Sequence, residues 1–117
     1  MTRRIIMILA ITALLAAACG GGAHSDVTAA RDPNSVLAGA DLYAAHCAAC
    51  HGAALEGGTG PQLVTKELGH PDSDFVEWIT NGKEAMPAVA QQAGLTPEEV
   101  QSIVDFVRSV QAAALEE

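Results

Sequence analysis

Apolar and polar positions divide the chain into four stretches. Fourteen of the first 18 residues are apolar, and they follow the basic start Thr2-Arg3-Arg4. A charged n-region, a short apolar run and small residues before Cys19 read as a secretory signal, too short for a comfortable membrane span. Residues 19–34 are glycine-rich and polar and carry no periodicity. They read as a flexible tether with a reach on the order of 20–25 Å. Residues 35–117 carry helical patterning, and the end at Glu116-Glu117 is expected to fray.

Within that domain the pattern predicts three main helices and no strands. The first runs from about Asn34 or Ser35 to the cysteines, with Val36, Leu37, Leu42 and Tyr43 as its apolar contacts. The second starts at Asp72 or Ser73, ends before Gly82, and brings Phe75, Trp78 and Ile79 together. The third is announced by Thr96-Pro97-Glu98-Glu99, a capping box with proline at the first helical position. Behind it Val100, Ile103, Val104 and Val107 fall at i, i+3, i+4 and i+7, with Phe106 and Val110 widening the stripe. Gly- and Pro-rich connections, notably Gly57-Gly58-Thr59-Gly60-Pro61, separate the helices, so the class is all-α with irregular loops.

Composition changes this picture in one respect. Beyond residue 18 only four aromatics remain, Tyr43, Phe75, Trp78 and Phe106, while alanine is abundant. A domain of this size is marginal on side-chain burial alone, which points to a prosthetic group completing the core. Charge changes it in another. The formal net charge is −8 and becomes −10 once Arg3 and Arg4 leave with the signal, so a nucleic-acid partner is excluded for want of cations to neutralise phosphates.

The chemistry is carried by Cys47-Ala48-Ala49-Cys50-His51. Two thiols three residues apart can each add across one vinyl group of a haem, and the adjacent imidazole then comes beneath the iron. The alternatives fit less well. A structural zinc site wants four ligands, and Cys19 is the only other cysteine. A thioredoxin-like pair wants a βαβ context, and a plain disulfide has no use for His51. Once Met1 and Met7 leave with the signal, Met86 is the one methionine left, in the loop Asn81-Gly82-Lys83-Glu84-Ala85-Met86-Pro87, and it is the expected second axial ligand. The competitors are His70, His46, Lys83 and, in the tether, His24; a surface histidine ordinarily stays solvated.

These motifs, in this order, resemble a class I monohaem cytochrome c over about residues 35–112. The resemblance implies a cytochrome c-like fold of three main helices around one covalently attached haem c. It implies thioethers at Cys47 and Cys50, iron ligation by His51 and Met86, and a Pro61 carbonyl that accepts a hydrogen bond from His51. It further implies that Gly39 and Tyr43 of the first helix meet Ile103 and Phe106 of the last. Trp78 is either a hydrogen-bond donor to a haem propionate or plain core. The chain departs from the mitochondrial pattern in its shorter span between the iron ligands and its lack of a lysine-rich rim.

With both axial positions filled, the domain is expected to carry single electrons rather than catalyse, in an extracytoplasmic respiratory or photosynthetic chain. A haem enzyme or gas sensor with a labile Met86, and a fixed subunit of a larger membrane oxidoreductase, are the alternatives. Ala48, Ala49, Ala53, Ala54, Ala88 and Val89 flank the ligand motifs and are expected to form an apolar docking patch for redox protein partners in an otherwise acidic surface. The small residues before Cys19 and the glycines after it resemble a bacterial lipoprotein cleavage box, with Ala16 where leucine is preferred. This implies an exported domain, in the periplasm or at the outer face of the bacterial cell membrane, lipid-anchored through Cys19. Ordinary signal cleavage, leaving a soluble periplasmic protein with a free thiol, is the alternative.

Overall fold

The computed structural model describes residues 31–117. Residues 1–18, read above as an export signal, and Cys19 and His24 lie outside the described residues. Five helices follow in order: α1 (Pro33–His46), α2 (Ala48–His51), α3 (Asp72–Asn81), α4 (Val89–Ala93) and α5 (Pro97–Leu115). Among the described residues there is no strand, only an isolated bridge between Lys83 and Met86. The three predicted helices are α1, α3 and α5, and the fold is all-α and cytochrome c-like.

The α1 helix starts inside the stretch read as tether. Asp32 caps it, its side chain accepting from the backbone N–H groups of Asn34 and Ser35, and Pro33 occupies the first helical position. Arg31 is part of the fold as well: its guanidinium reaches Asp72 at 2.7 Å and Asp105 at 3.2 Å. Among the described residues, Arg31 and Asp32 are thus tied to the helices, one by its ion pairs and the other by its cap. The buried stripe of α1 is Gly39 and Tyr43, and it continues to the buried C-cap Cys47, at i, i+4 and i+8. Leu37 is not a core contact; it is 67% exposed.

Packing of α1 on α5 explains the glycine. A Cβ at position 39 would stand 1.8 Å from the Ser102 carbonyl oxygen and 3.0 Å from Phe106 Cβ, so backbone meets backbone at the crossing. One turn on, Tyr43 packs on Phe106 with ring centroids 5.2 Å apart, and its hydroxyl donates to the Gly52 carbonyl at 2.8 Å. The close crossing implied by the family resemblance is thus present, with Phe106 and the Ser102 backbone at the contact. Gly39→Ala is expected to lower unfolding free energy by about 2–3 kcal/mol, since the obstacle is a backbone carbonyl that no rotamer moves. Equilibrium denaturation of the holoprotein checks it, and an unchanged midpoint would remove the close-approach argument.

The capping box on α5 is formed as predicted: Thr96 Oγ1 accepts from Glu99 N–H at 3.2 Å, and Glu99 Oε2 accepts from Thr96 N–H at 2.8 Å. Val100, Ile103, Val104 and Val107 are buried, and the stripe then continues through Arg108 and Gln111, both fully buried. Arg108 Nε donates to Asp72 at 2.8 Å and Nη1 to Gln111 at 2.9 Å, while Nη2 donates to the His70 carbonyl. Gln111 Nε2 in turn donates to the carbonyls of Leu63 (2.7 Å) and Lys66 (3.2 Å). These polar side chains fasten the 63–70 segment, which has no regular structure of its own, onto α5.

Candidate functional site

At the end of α1 the chain makes one further helical turn and stops. Cys47 caps α1, the His51 N–H donates to the Cys47 carbonyl at 3.0 Å, and Gly52 ends α2 at φ 85°. That turn places Cys47, Cys50 and His51 against a single cavity of about 310 Å³. Cys47 is buried and Cys50 exposed, with both thiols free. Burial, and after it the neighbouring Cys50, pushes the Cys47 thiol up to about 11. Burial likewise raises the Tyr43 hydroxyl, with Cys47 and Glu56 adding to the effect, so Tyr43 remains a donor to the Gly52 carbonyl.

His51 is held from behind by the glycine-rich loop. Its Nδ1 lies 2.9 Å from the Pro61 carbonyl oxygen, and a carbonyl can only accept, so Nδ1 carries the proton. The lone pair then belongs to Nε2, the nitrogen a metal needs. A Cβ at Gly60 would come within 2.9 Å of His51 Cε1, and the Gly60 N–H donates to the Cys50 carbonyl at 2.8 Å, so the loop is pressed on the ring.

Phe75, Trp78 and Ile79 of α3 line the same cavity, and so do Met86 and Pro87 from the loop after it. That loop is tied to itself: Lys83 N–H donates to the Met86 carbonyl at 3.1 Å and Met86 N–H to the Lys83 carbonyl at 2.8 Å. Gly82 at φ 86° leads into it, where a Cβ would lie 2.8 Å from the Met86 oxygen. The Trp78 indole N–H makes no hydrogen bond among the described residues, and the ring borders the cavity, an arrangement open to a carboxylate acceptor.

The residues fit a haem c. Two free thiols at the required spacing, an imidazole of fixed tautomer and a thioether meet in one apolar cavity, whose volume is many times that of a water molecule. Of the competing ligands, His46 and His70 do not line the cavity; His70 is exposed and paired with Glu67 and Asp74. Lys83 lines it, but its ammonium stands over the Trp78 ring, 3.6 Å from the centroid. Ala49, Ala53 and Ala54 are exposed as the docking patch requires, whereas Ala48, Ala88 and Val89 are half-buried. Lys66 and Glu67, also on the cavity wall, escape sequence reasoning, because nothing in the 63–70 pattern shows which way that loop folds.

An all-α fold that wraps a Cys-x-x-Cys-His turn around such a cavity defines a monohaem c-type cytochrome domain, a module of haem-based electron transfer. Residues 34–107 match the family model described as cytochrome c oxidase, cbb3-type, subunit III, and the chain belongs to that family. It is 36% identical over 88 residues to the cbb3-type cytochrome c oxidase subunit CcoP of Rubrivivax gelatinosus, an alignment covering 72% of this chain and 29% of that protein. The chain thus spans under a third of the length of the curated relative it matches.

Proposed function

We propose that this chain is the electron-entry or relay domain of a membrane respiratory oxidoreductase, its redox partner a cbb3-type oxidase or a related complex. The observation that carries the reading is the meeting of His51, with its lone pair on Nε2, and Met86 on the wall of one cavity beside the two thiols. Family membership favours the fixed-subunit or tethered form over a freely diffusing carrier.

In this reading Cys47 and Cys50 would hold the group through thioethers, and His51 and Met86 would supply its iron-binding side chains. When bound, the haem supplies a one-electron iron couple. The chain's own residues do the rest. Pro61 keeps the His51 ring plane and tautomer, Trp78 offers its N–H toward a propionate, and Phe75, Ile79, Ile103 and Val107 exclude water. With His51 and Met86 both engaged, the group would have no room for a further ligand, and in this reading the domain would move electrons without being catalytic by itself.

Placement follows from the other end of the chain. We infer that residues 1–18 are removed on export and that Cys19 is lipidated at the outer face of the cell membrane. The residues between it and Arg31 then tether the domain ahead of the fold. No helix among the described residues is long and apolar enough to cross a membrane.

Replacing both thiols tests the attachment. In Cys47→Ala/Cys50→Ala, haem absorbance is expected to separate completely from the denatured polypeptide, whereas it stays with the unaltered chain. Retention by the double variant would overturn the covalent site.

A further inference from the structure

The cavity mouth carries a cluster that iron ligation does not explain. Lys83 starts the turn that ends at Met86, and both of its backbone hydrogen-bonding groups are spent on Met86. Glu84, at the tip of that turn, sits at φ 53°, a left-handed conformation unfavourable for a residue with a Cβ. The turn therefore needs holding from outside. The Lys83 side chain leaves it in two directions at once: Nζ is 3.6 Å from the Trp78 ring centroid and 3.9 Å from Glu67 Oε2.

Glu67 belongs to the opposite loop and is itself left-handed, at φ 63°. Its carboxylate also meets His70 Nε2 at 3.0 Å, and the His70 ring packs edge-on against Trp78 with centroids 5.0 Å apart. Asp74 holds the other His70 nitrogen at 2.8 Å. One ammonium thus joins the methionine loop to the aromatic wall of α3 and to the 63–70 loop, which Arg108 and Gln111 anchor to α5.

We propose that Lys83 is the positioning residue of Met86, a latch whose cation is gripped between the Trp78 face and the Glu67 carboxylate. Because Lys83 N–H and C=O both bind Met86, whatever restrains Lys83 restrains the backbone that presents the thioether. Releasing the latch leaves the fold intact and makes the thioether easier to displace. The inference rests on the Met86 ligand reading.

The test is imidazole titration of the oxidised holoprotein, read in the visible spectrum, alongside chemical denaturation. Lys83→Gln is expected to bind imidazole about tenfold more tightly than the unaltered protein, equivalent to about 1.4 kcal/mol. That is of the size expected for loss of a partly desolvated cation–π contact together with an exposed ion pair. Lys83→Arg, which keeps a cation over the ring, restores the affinity to within about threefold. Imidazole affinity in Lys83→Gln equal to that of the unaltered protein overturns the latch, as does a change in denaturation midpoint alone, which would make Lys83 merely stabilising. Met86→Ala separates the two levels. If it keeps the sulfur-to-iron absorption band, the ligand reading falls and the latch with it; if it loses the band while Lys83→Gln binds imidazole normally, only the latch falls.

Discussion

Met86→Ala is expected to lose the long-wavelength sulfur-to-iron absorption band of the oxidised protein, to bind carbon monoxide rapidly when reduced, and to drop in midpoint potential. Thioether ligation raises the potential of a haem, and axial-ligand choice as a whole spans roughly 0.8 V. A fall on the order of 0.1–0.2 V follows, and each 0.1 V is about 2.3 kcal/mol for one electron. The fold should survive, because Met86 lies in a loop that Gly82 and the Lys83 hydrogen bonds shape through backbone atoms. Met86→His, which refills the position with an imidazole, should remain six-coordinate, refuse carbon monoxide, and still sit below the unaltered protein in potential. Redox titration with the two spectra decides the matter. An Ala variant spectroscopically identical to the unaltered chain would remove Met86 from the iron and reopen a haem enzyme or sensor reading.

Arg108→Leu is expected to cost about 3–5 kcal/mol of stability, the range for deleting one partner of a buried ion pair. Arg108 is fully inaccessible and Asp72 nearly so, which leaves Asp72 with Arg31 as its remaining cation partner. The same deletion strands the Gln111 side-chain oxygen and the His70 carbonyl, both of which accept from this guanidinium. It also lifts a cation from the Phe75 ring, 4.2 Å from its centroid, on the cavity wall. For a domain this size about 4–8 °C is lost per kcal/mol, so the holoprotein should melt at least about 12 °C lower. A loss under about 1 kcal/mol would mean the network relaxes or hydrates instead. Replacing Asp72 with leucine in the same chain should recover part of the loss, since it removes the carboxylate that Arg108 had paired.

Local signals in the chain proved good guides wherever one short segment carries the whole device. The capping box at Thr96 is set by four consecutive residues and formed as read. The Cys47–His51 turn is likewise a single helical turn whose spacing dictates its geometry. Periodicity misled where a glycine stood in the buried stripe: α1 buries Gly39 and Tyr43 and leads to the buried cap Cys47, so an apolar count drawn to Leu37 pointed at a solvent-facing side. The four-residue α2 and five-residue α4 are too short to show a period at all. In α5 the buried face runs past the valines to Arg108 and Gln111, which continue their spacing although both side chains are polar, and an apolar pattern does not show them.

By itself, then, the amino-acid sequence determined the helical class, the covalent haem motif, the candidate iron ligands and the acidic surface. Each of these is a property of residue type or of spacing within a few positions. Tertiary structure decided the rest, although the family resemblance had already implied the Pro61 and Gly39 contacts. It brought Pro61 to the back of His51 and so chose the nitrogen with the free lone pair. It turned Gly39 into a contact with Ser102, buried Arg108 against Asp72, and drew Lys83 onto Trp78 and Glu67. The physical reason is common to all four. A tautomer, a backbone approach, a buried charge and a cation over a ring depend on which distant segment lies opposite. That is set by how the helices pack around the cavity, not by any local pattern.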